Sequence, residues 1–447
     1  MGSNAHSSQS LDKSGKIITA VVASANGEIF ELEGYGAVSM AGLSLETLTA
    51  ERTIKMPHGS ELMLLPDRHP VLWNLARQCY EVVDANPYAP GEPLYPVAAF
   101  NSPGYVITGV SAYEEDSSAG YLPLFSYGAV GWHQNGFRTA ALQVDPEPRQ
   151  NLRRMKPDAV ARGVKRKQKA LPGNRLRAHL EKCALTYGCP AGKNFFLGRY
   201  EAPLPTAQTC NARCLGCISL QPSDAIPASQ NRIAFTPSPE EIAQVALTHI
   251  QDVNHGVVSF GQGCEGDPLM AAETIEPAIR QIRAATPKGT INMNTNGSRP
   301  AALNSLFKAG LDSIRISLNS VRAEYYEAYF RPAGYRFTDV LDSIALALQN
   351  RRFVSINYLN CPGFTDTPAE HDALLTFLAD YPIDMIQWRN LNYDPLRYWQ
   401  TMGVQDTQTH PLGMHTCLAR VRQAYPHLMH GYFNPPREKW NRAGGRT

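Results

Sequence analysis

Three cysteines crowd into the run Thr209-Cys210-Asn211-Ala212-Arg213-Cys214-Leu215-Gly216-Cys217, a C-x3-C-x2-C spacing with no fourth cysteine beside it. Thiolates at such short spacings are a common way to hold an iron–sulfur cluster. One tight loop carrying three sulfurs can grip a cluster and leave one iron without a protein ligand, and that open iron is a place for chemistry. A structural zinc site wants four Cys or His ligands, usually as two spaced pairs, and the second pair is missing here. A thioredoxin-like reading of Cys214-Leu215-Gly216-Cys217 needs its own strand–helix context and leaves Cys210 idle. Unrelated buried thiols are the plainest alternative, yet nine cysteines in 447 residues rarely fall into such a trio by composition alone.

The elements that must position this loop come next. After about residue 204 the pattern alternates strand and helix. Ser238-Pro239-Glu240-Glu241 is a capping box with proline at the first helical position, and it opens a helix to about 253. Strands are expected at 256–260, 290–294, 313–318, 353–359 and 385–389. Helices are expected at about 271–285, 303–309 and 338–350, and a second capping box, Thr367-Pro368-Ala369-Glu370, opens another. With a first strand before Cys210, this makes five or six βα units. Such alternation builds a parallel sheet or barrel with helices outside, and such barrels place their chemistry on the loops after the strands. The cysteine loop follows the first strand.

Placed there, Cys210, Cys214 and Cys217 give the chain a resemblance to the radical SAM enzyme superfamily, covering about residues 204–400. The resemblance implies an α/β fold with a partial parallel (β/α)6 barrel. It also implies a [4Fe-4S] cluster on those three cysteines and S-adenosylmethionine (SAM) on the open iron. One-electron cleavage of SAM to methionine and a 5′-deoxyadenosyl radical would follow, with a reducing partner such as a flavodoxin or ferredoxin. Further motifs are similar to the family's in the same order. Gly263-Cys264-Glu265-Gly266-Asp267-Pro268 resembles the Gly-Gly-Glu-Pro loop that meets the methionine amino group, with Asp267 in the Glu place, so Gly266, Asp267 and Pro268 are candidate SAM contacts. Asn294-Thr295-Asn296-Gly297 resembles a Thr-Asn-Gly turn, which adds Asn296. Arg315-Ile316-Ser317-Leu318-Asn319 resembles the strand that approaches the methionine carboxylate and ribose, and period-two alternation places Arg315, Ser317 and Asn319 on one face. That adds Ser317 and Asn319. Gly216 stands where the family usually carries an aromatic packing near adenine. Residues of the catalytic step itself, and the substrate, are not legible. A small metabolite or cofactor precursor is the favoured substrate class, ahead of RNA or a peptide. A non-catalytic iron–sulfur electron carrier or sensor is the competing class, and it has no use for the Gly266–Pro268 and Arg315–Asn319 motifs.

The rest of the chain is less specific. Residues 1–15 read as a disordered tail. Residues 16–145 read as a smaller α+β N-terminal domain of short strands with one helix over Pro70–Val83. Residues 146–203 read as a basic linker and helical segment, and 401–447 as a C-terminal extension. Net charge is only +2, but Arg149–Arg177 holds eleven Lys or Arg against one acid, Asp158. Attraction to phosphates or nucleic acid is one reading of that stretch. It lacks aromatics for base stacking, so a solvated face is preferred. Cys183-x5-Cys189 could contribute to a second iron–sulfur cluster if Cys79, Cys264, Cys361 or Cys417 converged on it, with Cys264 the most suggestive. Trp388-Arg389-Asn390 and Tyr393 to Trp399 fall where late barrel strands would face substrate, either to bind it or as an aromatic plug closing the barrel. No apolar run reaches the about 20 residues a membrane span needs. The odd cysteine count and polar N-terminus lead to an expectation of a cytoplasmic protein.

Overall fold

The computed structural model describes residues 16–222, 225–404 and 410–440; the expected tail over 1–15 lies outside them. From Thr19 to Gln143 the chain forms short, mostly antiparallel strands, and no helix occurs among the described residues before Pro148. The helix expected over Pro70–Val83 is instead a β-hairpin: Arg68–Asn74 pairs with Cys79–Val82, Trp73 opposite Tyr80 and Val71 opposite Val82. Asn74 closes the turn by accepting from the N–H groups of Ala76 (3.0 Å) and Arg77 (2.9 Å). The strand Tyr113–Glu115 covers the other edge of Arg68–Asn74. Pairing on both edges overrides the helix-favouring Leu-Ala-Arg-Gln run, as tertiary context often does. The N-terminal region is therefore β-structured, not α+β.

The basic segment, expected as a linker and helical segment, is helical over much of its length. It folds into helices α1 (Pro157–Ala170), α2 (Arg175–Leu185) and α3 (Pro190–Leu197). Val160 and Val164 bury one face of α1. Lys167 is buried on the same face, with its ammonium 2.8 Å from Asp252 and over the Phe195 ring. The remaining α1 charges stay on the outer face.

A seven-stranded parallel sheet follows: β1 (Glu201–Pro203), β2 (Val257–Phe260), β3 (Thr290–Thr295), β4 (Ser313–Leu318), β5 (Phe353–Asn360), β6 (Met385–Asn390) and β7 (Met429–Gly431), paired in that order. The seventh strand comes from the segment expected to be a C-terminal extension. Its three residues carry no alternation long enough to read. The intervening helices include α4 (Pro239–Asp252), α5 (Ala272–Ala285), α6 (Pro300–Ala309) and α7 (Ala323–Phe330). Both capping residues act as expected: Ser238 and Glu241 bond each other's backbone N–H groups, and Thr367 accepts from Glu370. Ile291, Met293, Ile314, Ile316 and Leu318 belong to the apolar core. The alternate positions, Asn292, Asn294, Ser313, Arg315 and Ser317, share the opposite, polar face.

The N-terminal β region sits at the C-terminal end of β5 and β6. Asn390 holds the strand Tyr105–Ile107 through the Ile107 N–H (2.9 Å) and the Tyr105 carbonyl (3.0 Å), and Asn360 donates to the Ile107 carbonyl (2.9 Å). Nearby, Arg68 (1% exposed) pairs with Asp394 (0% exposed) at 3.1 Å. The β region thus lies over the barrel end where the cysteine loop emerges.

Candidate active site

Cys210, Cys214 and Cys217 stand on the loop after β1, each only partly accessible. Their thiols are close enough to act on one another electrostatically. Burial, and then the neighbouring Cys217 and Cys210, push the Cys214 thiol well up. Burial and then Asp267 raise Cys210 to about 11. Cys217 goes the other way: burial works upward, but hydrogen bonds from Ser219 and the charge of Arg232 outweigh it. The Arg232 guanidinium approaches Cys217 Sγ at 3.6 Å, the Ser219 hydroxyl lies at 3.6 Å, and the Ala212 N–H points to Cys210 Sγ at 3.4 Å. Three soft donors with N–H and O–H groups aimed at their sulfurs suit an iron–sulfur cluster.

The loop is fixed by pairing with the end of α7. Leu215 donates to the Tyr329 carbonyl (3.0 Å) and Arg213 to that of Phe330 (2.9 Å). This explains Gly216. A Cβ there would lie 2.7 Å from the Asn392 carbonyl oxygen and 2.8 Å from the Tyr329 hydroxyl. An aromatic beside the third cysteine has no room, and Tyr329 brings a ring to that place from another element.

Gly266 lies against the cysteine loop. Its N–H donates to the Ala207 carbonyl (2.7 Å), and the next N–H, of Asp267, donates to that of Thr209 (3.0 Å). The Asp267 carboxylate is buried and fully engaged: it accepts from the Thr295 hydroxyl (2.8 Å), the Asn296 N–H (2.7 Å) and the Leu269 N–H (3.0 Å). It holds the Thr295–Asn296 turn in place. Pro268 follows, buried, at the start of a short 3-10 turn. The Asn296 amide donates to Asn211 in the cysteine loop (2.8 Å), and its oxygen accepts from Ser298 (3.0 Å). The loops after β1, β2 and β3 are thus tied into one unit. Ser317 is half-buried on β4. Asn319, just past that strand, does not join the polar lumen. Its amide donates to the Tyr325 carbonyl and the Tyr398 hydroxyl, and its Oδ1 is buried without a partner.

Several contributors were not legible in the sequence. Glu265 is fully buried and accepts four backbone N–H bonds, from Thr206 (2.8 Å), Ala207 (3.0 Å), Gly261 (2.6 Å) and Gln262 (2.8 Å). Burial raises its carboxyl to about 7 against the pull of those bonds. A charged residue among glycines in the Gly263–Pro268 loop was the one available signal. Arg232 and Tyr329 had none, because their partners are distant in sequence. Inside the barrel, Arg315 donates to Gln387 (2.9 Å), Gln387 to Asn434 (2.8 Å) and Asn434 to Glu201 (2.8 Å), a polar chain crossing the lumen. Arg389 stacks on Tyr432 at 4.0 Å. Trp388 points the other way and donates to His430 (2.9 Å). Tyr398 and Trp399 are core side chains.

Residues 204–375 match the family model described as "Radical SAM superfamily". The GTP 3′,8-cyclase of Lactiplantibacillus plantarum is 27% identical over 191 residues, covering 40% of this chain and 54% of that protein. Molybdenum cofactor biosynthesis protein 1 of Drosophila melanogaster is 26% identical over 227 residues, covering 49% of this chain and 37% of that protein. The match thus spans about half the length of the first relative and less of the second. Among solved structures, the FeFe-hydrogenase maturase of Carboxydothermus hydrogenoformans superposes with a TM-score of 0.37 at 15% identity, covering 63% of this chain and 67% of that one. No helix among the described residues is long and apolar enough to cross a membrane. The segment that holds the cysteine loop is thus a radical SAM domain, of the family that works with a [4Fe-4S] cluster and S-adenosylmethionine.

Proposed function

We propose that Cys210, Cys214 and Cys217 hold the cluster, and that the enzyme acts on a small anionic cofactor precursor of the purine-nucleotide class. When bound, the cluster, fed by an external reductant, and SAM would together supply one-electron chemistry for abstracting a hydrogen atom from substrate. The protein's share is positioning and shielding. Gly266 allows the second loop to lie against the cysteine loop, Asp267 orients the Asn296 turn, and Pro268 starts the short turn that follows. Asn296 ties that turn to Asn211. Ser317, on the polar face of β4, would meet SAM there, whereas Asn319 is turned into the core against Tyr325 and Tyr398.

The observation that carries the substrate class is the pair Arg315 and Arg389 on the lumen side of β4 and β6. Neither forms an ion pair within 4.0 Å among the described residues. Burial, and then the charge of Arg389, lower Arg315 to about 9. Two guanidinium groups left in a polar, covered lumen suit a phosphate or carboxylate, which they bind with paired hydrogen bonds. The relatives, a GTP 3′,8-cyclase and a molybdenum cofactor biosynthesis protein, support the same class.

The test is anaerobic reconstitution, then dithionite and SAM with and without GTP or other purine nucleotides, with 5′-deoxyadenosine measured by mass spectrometry. Nucleotide-stimulated 5′-deoxyadenosine is expected. No 5′-deoxyadenosine under any condition refutes the radical chemistry. Stimulation by RNA or a peptide and not by nucleotides refutes the substrate class.

A further inference from the structure

Away from the cysteine triad, a second group of soft ligands converges. His179 and Cys183 are one helical turn apart on α2, so their side chains share a face. Cys264 comes from the loop after β2. The His179, Cys183 and Cys264 ligand atoms all lie within 4.8 Å of one another, both thiols are buried, and His179 Nε2 is 3.5 Å from Cys183 Sγ. Cys189 starts α3, and its N–H donates to the Cys183 carbonyl at 3.0 Å. Its thiol is within electrostatic reach of both Cys183 and Cys264. Cys79, Cys361 and Cys417 are no part of this group.

We propose that His179, Cys183 and Cys264 bind one tetrahedral metal ion of the zinc type, with Cys189, whose thiol lies just outside that 4.8 Å group, moving in as the fourth ligand. The separations decide between an ion and a cluster. Ligands sharing one Zn2+ at about 2.3 Å (S) and 2.0 Å (N) stand about 3.5–3.8 Å from each other. The 3.5 Å between His179 and Cys183, within a group no wider than 4.8 Å, matches that spacing. An iron–sulfur cluster, in which thiolates bind different irons, spreads its ligands farther apart. The mixed Cys/His donor set is also the usual one for structural zinc. The location gives the ion a task. Cys264 is three residues before Asp267, so the ion ties α2 to the loop that orders the SAM site, and redox-silent zinc would hold that shape without competing for the electron.

The experiment measures zinc, iron and sulfide per chain in the anaerobically reconstituted protein, and the visible spectrum after zinc is replaced by Co2+. About one zinc per chain is expected in addition to the iron of the first cluster, with thiolate-to-cobalt charge transfer and strong tetrahedral d–d bands. Cys183→Ser and Cys264→Ser should lose the zinc and keep the iron; a Cys210→Ser/Cys214→Ser/Cys217→Ser variant should do the reverse. His179→Gln should shift the cobalt bands. The wild-type cobalt spectrum keeps the test decisive if a cysteine variant misfolds. No ion beyond the first cluster, extra iron and sulfide lost with Cys183→Ser, or a Cys183–Cys264 disulfide by mass would each overturn the proposal. None of these readouts depends on SAM cleavage.

Discussion

Gly266→Ala is the sharpest probe of how the loops are coupled. A Cβ at residue 266 would lie 1.9 Å from the Thr209 carbonyl oxygen and 2.3 Å from its carbon. Both are backbone atoms, so no rotamer change relieves the clash. Bringing that contact to even 3.0 Å moves the two loops apart by at least about 1.1 Å, since closer Cβ contacts are essentially never seen. The movement strains the Gly266-to-Ala207 and Asp267-to-Thr209 hydrogen bonds. Two bonds at about 1 kcal/mol each and about 1–3 kcal/mol of overpacking predict a loss of about 3–5 kcal/mol. Thr209 precedes Cys210, the first of the three proposed cluster ligands, so the shift reaches it directly. A misplacement of about 1 Å can cost about 100-fold in rate. Urea unfolding of the cluster-loaded protein measures the first quantity, and the initial rate of 5′-deoxyadenosine formation with SAM binding measures the second. A variant with wild-type stability, SAM affinity and rate would refute the argument that loop contact at Gly266 orders the site.

Three more outcomes follow from the same geometry. The positive charge and N–H that Arg232 brings to Cys217 Sγ favour the reduced cluster, and Arg232→Ala removes both. Its midpoint potential should fall by about 40 mV for each ~1 kcal/mol lost, read by EPR-monitored titration; an unchanged potential would contradict the assigned contact. Arg68→Ala leaves the buried Asp394 carboxylate without its cation, and the loss should be about 3 kcal/mol in denaturant unfolding, with less than about 1 kcal/mol counting against the anchor. Glu265 has a folded-state value near 7, above its ordinary 4.5, because of burial. Its contribution is therefore full below pH 4.5 and is lost as pH rises through 7, by about 3 kcal/mol in all. Glu265→Gln should flatten stability against pH between 4.5 and 8 relative to wild type, and parallel curves would refute the assignment.

Legibility in the sequence follows the range of the interactions. The C-x3-C-x2-C loop, both capping boxes and the alternation of β4 are local patterns. Each is set by residues within a few positions, so spacing and periodicity were enough to recognise them. They determined the parallel α/β core and the order of its loops. What needed the tertiary structure was set between distant segments. Pairing on both edges turned Pro70–Val83 into a hairpin, and packing against α3 made α1 part of the core with Lys167 on its buried face. Asp267 reads as a cofactor contact in the sequence, whereas in the fold its oxygens are taken by Leu269, Thr295 and Asn296. Glu265, Arg232, Tyr329 and the His179–Cys183–Cys264 group became visible only where loops far apart in the chain meet. A buried charge or thiol is defined by what surrounds it, and that surrounding belongs to the fold.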